Sequence, residues 1–169
     1  DAVVSRGLGD VYKRQNQIHN GHLEVFNTVM HHGNPDEAII ASNRIDFCML
    51  RDLLPDASYT SIRTNNVFSL VSEIIELYGE DVRITFIVGE DQEKFANALQ
   101  NSFPQVETFL IPRSPEAPSS TRVRELFAST SNKRQFVTQT IQSGCFSNEH
   151  HAKMIFNQLS HLTWQILIL

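Results

Sequence analysis

The histidines at positions 19 and 22, separated by Asn20 and Gly21, have the types and spacing best suited to chemistry in this sequence. They stand just ahead of an amphipathic run in which Leu23, Phe26 and Met30 share one helical face. Gly33 takes the place of a C-terminal cap. His22 is therefore expected to begin a helix, with His19 in the turn leading into it. Gly21 has no Cβ, so a ligand can come close to the backbone there. A helix N-terminus offers N–H groups without intrahelical partners and the positive end of the helix dipole, and both favour phosphate. Two imidazoles added to such a turn suit the stabilisation of negative charge on a phosphoryl group in transit. The plainer alternative is a pair of surface histidines capping the helix.

His19-Asn20-Gly21-His22 resembles the HxGH signature of the nucleotidylyltransferase superfamily. Two later segments carry the same likeness, in the same order. Phe86-Ile87-Val88-Gly89-Glu90-Asp91-Gln92 is similar to that superfamily's strand-end G-x-D segment, and Ser119-Ser120-Thr121-Arg122-Val123-Arg124-Glu125 to its S-S-T-x-x-R signature. The likeness spans residues 16–130 and is dense only at these three motifs.

The resemblance implies transfer of AMP from ATP to a phosphorylated acceptor, with release of pyrophosphate. His19 and His22 match the phosphate-binding histidines, with Asn20 and Gly21 in the same turn. Ser119, Ser120 and Thr121 would give hydroxyl and backbone N–H donors to the outer phosphates, and Arg124 a guanidinium to the leaving pyrophosphate. The plainer alternative there is a serine cap followed by a solvated basic face. Gly89 and Asp91 match positions lining the nucleotide pocket, against the alternative of a strand-end turn with an aspartate cap. Arg113 is a candidate phosphate contact in the loop before the serines. Mg²⁺ is expected with ATP, held by the nucleotide and water rather than by a protein cage, so no side chain is assigned to a metal.

Histidine at position 19 favours nicotinamide or nicotinate mononucleotide as acceptor, because the phosphopantetheine enzymes usually carry threonine there. Pantetheine-phosphate or FMN adenylyltransferase activity is an alternative, and so is a catalytically impaired nucleotide-binding module. Three departures from the superfamily pattern stand out. Pro118 replaces an aliphatic residue ahead of the serines. The Gly-rich turn before the first histidine is absent. Ser42-Asn43 leads almost directly into the next helix, where relatives usually have a longer loop that helps hold the acceptor.

The chain has 169 residues, 41% hydrophobic and 20% charged, as expected of a single domain with a substantial core. Nineteen acidic against fourteen basic residues give a net charge of −5, which argues against nucleic acid or an anionic membrane surface as the main partner. A small phosphorylated ligand needs only local positive charge, and a homo-oligomer is compatible with this balance. The two cysteines, Cys48 and Cys145, have no paired spacing, and a reducing cytoplasm fits them. No apolar run approaches the ~20 residues of a membrane span.

The elements that must position these residues alternate along the chain. Residues 1–15 are too polar for the central strand of a parallel sheet; they are expected to be non-native, with the true first strand lost, and the superfamily-like domain to occupy residues 16–169. Strands are expected at Ala38–Ala41, Tyr59–Thr64, Val82–Val88 and Val106–Ile111. Helices are expected at Arg44–Leu54, Val67–Tyr78, Gln92–Gln100 and from Ser119 or Ser120 to Phe127, then two more over Gln135–Leu162 broken near Gly144. Ile166-Leu167-Ile168-Leu169 is expected to complete an edge of the core, and His31, His32, His150, His151 and His161 to be exposed. The alternation predicts an α/β fold, a Rossmann-like parallel sheet flanked by helices with C-terminal helices beyond it. Ligands of such sheets bind at the carboxyl ends of the strands, so all three motifs are expected to face one crevice.

Overall fold

The computed structural model describes residues 17–168, with side chains to residue 160. The expectations for residues 1–15, for His161 and for the final four residues as a core edge lie outside the described residues or side chains. Among the described residues, seven helices and four short parallel strands make a mixed α/β structure. In order they are α1 (Asn20–His31), β1 (Ile39–Ala41), α2 (Phe47–Leu53), β2 (Thr60–Ile62), α3 (Val67–Tyr78), β3 (Ile84–Gly89), α4 (Glu93–Ser102), β4 (Val106–Ile111), α5 (Ser120–Ser129), α6 (Lys133–Gln142) and α7 (Glu149–Ile168). A single 3₁₀ turn, Glu90–Gln92, joins β3 to α4.

Helix boundaries follow from local capping. Asp46 accepts the Met49 N–H ahead of α2, Asn66 that of Ser69 ahead of α3, and Asn132 that of Gln135 ahead of α6. Each supplies an acceptor to an N–H that has no intrahelical partner. The Asp46 cap starts α2 later than the expected Arg44, because Arg44 and Ile45 precede the capping residue.

The chain divides into two compact units. One takes the chain up to Leu23, then Arg44–Asp56 and Ala117 onward; the other takes Glu24–Asn43 and Ala57–Glu116. The second unit holds all four strands. β1 pairs with β2 from Ile39 opposite Thr60 to Ala41 opposite Ile62, and β3 with β4 from Ile84 opposite Val106 to Gly89 opposite Ile111. Among the described residues these are two separate two-stranded sheets rather than one continuous sheet. Around β3 and β4 the core is Val71 of α3, Leu99 of α4 and Val106, with Phe68, Phe86 and Phe103 packed against it. Tyr78 is 55% exposed; it lies in the helix's last turn, past this core, and donates its hydroxyl to Glu37.

The first unit is helical. Val123 of α5, Phe136 and Val137 of α6, Cys145 and Phe146 of the connection, and Ala152, Ile155 and Leu159 of α7 form one buried cluster. Phe136 lies at its centre, with Phe127 edge-on at 5.9 Å and Phe156 at 5.5 Å. Burying one such ring stabilises the fold by roughly 1.5–3 kcal/mol. His151, expected to be exposed, is 1% exposed, with its ring 4.6 Å from that of Phe146. It stands on the inner face of α7, one residue before Ala152 and one turn before Ile155, which the polar neighbours Glu149, His150 and Lys153 conceal in the sequence.

Candidate functional site

The histidine turn is built by mutual capping. The His19 carbonyl accepts the first helical bond of α1, from Leu23 N–H at 3.2 Å, so His19 occupies the N-cap position. Its own Nδ1 accepts from Gly21 N–H at 3.1 Å, while Nδ1 of His22 accepts from His19 N–H at 3.2 Å. This is the reciprocal arrangement of a capping box, with imidazoles in place of a hydroxyl and a carboxylate. The rings stack at 3.9 Å between centroids, 26° from parallel. The capping alternative therefore describes the local geometry, although His19 is buried rather than on the surface. Capping uses Nδ1 as an acceptor, so each neutral ring carries its proton on Nε2, at the far edge, as a donor. His19 is 2% exposed and His22 half-buried, which makes His22 the more accessible of the two.

Gly21 makes this packing possible. A Cβ there would stand 2.9 Å from Cε1 and 3.0 Å from Nδ1 of His19, and 3.4 Å from the carbonyl oxygen of Pro118. Asn20 ties the turn to the α6–α7 connection. Its backbone N–H donates to Cys145 O and its Nδ2 to Gly144 O, both at 2.8 Å, and its Oδ1 accepts from Ser147 Oγ at 3.0 Å. Gly144 has φ +80°, a conformation that lets the chain leave α6 and present that carbonyl.

The serine segment lies beside the same turn. Ser119 is the N-cap of α5, accepting from Arg122 N–H at 3.1 Å, which leaves its own O–H as a donor. Ser120 and Thr121 open the helix, Ser120 half-buried and Thr121 exposed. Arg124, one turn in, reaches back: Nη1 donates to Gln17 Oε1 at 3.2 Å and Nη2 to Thr121 Oγ1 at 3.5 Å. The fold thus brings His19, Asn20, Gly21, His22, Ser119, Ser120, Thr121 and Arg124 together in the helical unit. The result is a corner of imidazole, hydroxyl and guanidinium donors at the starts of two helices.

Gly89, Asp91 and Arg113 gather in the other unit, where β3 and β4 end side by side. Arg113 N–H donates to Glu90 Oε1 at 2.8 Å, and Arg113 Nη1 is ion-paired with Asp91 Oδ2 at 3.4 Å. Asp91 does not cap α4; its carboxylate turns to the arginine instead. A Cβ on Gly89 would fall 2.5 Å from Asp91 Oδ1 and 3.2 Å from Arg113 Cδ, so this glycine makes room for the pair.

Sequence reasoning missed Gln17, Glu90 and Ser147, along with the burial of His151. Glu90 stood inside a recognised segment. The other partners carry no sequence signal, because they meet the site across more than a hundred residues of chain. No group of three His, Cys, Asp or Glu side chains suited to a metal ion occurs among the described residues. Nor is any helix among them long and apolar enough to cross a membrane. Comparison of the chain with family models, with curated proteins and with solved structures finds no match in any of the three.

Proposed function

We propose that this chain is a nucleotidylyltransferase that moves AMP from Mg·ATP to a phosphorylated acceptor, nicotinamide or nicotinate mononucleotide first among the candidates. The observation that carries the reading is the pair of stacked imidazoles, each held at Nδ1 by a backbone N–H with its proton on Nε2, beside the Ser119–Arg124 helix start. Such donors suit phosphate oxygens and are held before the ligand arrives, which is what electrostatic catalysis requires.

In this reaction an ionised oxygen of the acceptor phosphate attacks the α-phosphorus. A new P–O bond forms as the bond to the β-phosphate oxygen breaks, and pyrophosphate leaves with the electron pair. No strong base is needed, so positioning and charge stabilisation supply the rate. His22 and His19 steady the α-phosphoryl oxygens, Ser119, Ser120 and Thr121 hold the outer phosphates, and Arg124 neutralises the leaving group. The resemblance also gives Gly89, Asp91 and Arg113 a part in holding the nucleotide. The two parallel strand pairs, each with a helix between its strands in sequence, support a Rossmann-like sheet. The two free cysteines support a cytoplasmic setting.

Pyrophosphate release from Mg·ATP tests the reading, with nicotinamide mononucleotide, nicotinate mononucleotide, phosphopantetheine and FMN as acceptors. The expected result is release with one acceptor, falling by roughly a hundredfold or more in His22→Ala. One observation favours a binding module without turnover: Asp91 and Arg113, both read as nucleotide contacts, are paired with each other. ATP binding without release across the panel would select that reading.

A further inference from the structure

We propose that His151 is a positioning residue for the histidine turn, fixing its backbone from α7; this rests on the reading that the turn binds a triphosphate. Its Nε2–H donates to the Ile18 carbonyl at 2.6 Å, immediately before His19 and 133 residues away in sequence. Ile18 is itself 1% exposed, so that carbonyl has no ready substitute for the imidazole. His151 is held in turn by its own N–H, which donates to Asn148 Oδ1 at 2.9 Å at the start of α7, and by its ring against Phe146.

This bond completes a clamp. Asn20 meets Gly144, Cys145 and Ser147 on the downstream side of His19, and His151 meets Ile18 on the upstream side. His19 N–H, the donor to the His22 ring, therefore lies between two fixed points. A shift of the Ile18–His19 peptide would move that N–H and let the His22 ring turn. The orientation of both Nε2–H groups thus depends on a residue with no place in the motif. Burial keeps the His151 ring biased toward its neutral form, in which the bond to Ile18 fixes the proton on Nε2.

The test uses the full chain with two substitutions. His151→Phe keeps a ring against Phe146 but removes the donor, while His151→Gln restores an N–H at a similar reach. The expected result is a fall in kcat/KM for ATP of roughly ten- to hundredfold in His151→Phe. His151→Gln is expected to recover most of it, with both proteins folded. Histidine-selective ¹⁵N spectra, which need no substrate, are expected to show altered His19 and His22 ring signals in the Phe variant and near-normal ones in the Gln variant.

Unchanged ring signals in folded His151→Phe, or a Gln variant as altered as the Phe variant, would overturn the proposal. Should the Phe variant not fold, His151→Leu provides a second arm that keeps an apolar side chain against Phe146 without a donor, expected to shift the same ring signals in the same direction; no shift would again overturn it. A wild-type chain that neither binds nor turns over ATP would sink the functional reading by itself, and the ring signals would still decide the positioning role.

Discussion

At the scale of single residues, the histidine pair shows how imidazoles can stand in for the hydroxyl and carboxylate of a helix cap. Nδ1 of each ring is committed to a backbone N–H, and that commitment assigns the proton to Nε2. Gly21 is the residue on which this depends most. Gly21→Ala would push a methyl group against the His19 ring and towards Pro118 O, and either the ring or the helix start must then move. The expected outcome is a loss of ATP affinity of about tenfold with the melting temperature changed little, read by calorimetric titration beside thermal unfolding. A wild-type affinity would mean that the His19 ring has room to relax without leaving the ligand. Among these features the glycine was legible in the sequence as a close-approach position; the atom it approaches was not.

At the scale of elements, the site belongs to two helix starts. α1 is capped by histidines and α5 by Ser119. Ser119→Ala removes an acceptor from Arg122 N–H, which destabilises a helix start by about 1 kcal/mol. It also removes a hydroxyl read as a phosphate donor. The expected result is a small drop in the denaturation midpoint together with a larger rise in KM for ATP. A drop in stability with KM unchanged would make Ser119 a cap alone. The α5 cap, the strand β4 and the helix α3 could be read directly from sequence, because a Ser before a helical pattern, alternation of apolar residues and spacing of apolar residues are local signals. The separate pairing of β1 with β2 and of β3 with β4 is not local, and the expectation of one sheet came from the alternation of elements.

At the scale of the whole molecule, the helical unit draws residues from three stretches of chain, and His151 links two of them. Burial holds the His151 imidazole below the usual histidine pKa, the nearby His150 adds to the depression, and the hydrogen bond to Ile18 opposes it. The unfolded chain therefore binds this proton at a higher pH than the folded chain does. Stability is complete above the ordinary histidine pKa of about 6.5 and is lost as pH falls through the lowered folded value. Thermal unfolding at a series of pH values is expected to show that loss in the wild-type chain, with a shallower fall in His151→Gln; parallel curves would remove His151 from the account. The sequence by itself located the described helices and strands to within a few residues, and the serine start of α5, since each rests on contacts within a few residues; α1 begins at Asn20 rather than His22 and α2 at Phe47 rather than Arg44. Only the tertiary structure decided that Arg124 meets Gln17, that Asp91 is spent on Arg113, and that His151 turns inward to Ile18. The first and last of these pairings join residues more than a hundred positions apart and the second joins two loops 22 positions apart, and no local pattern encodes such partners.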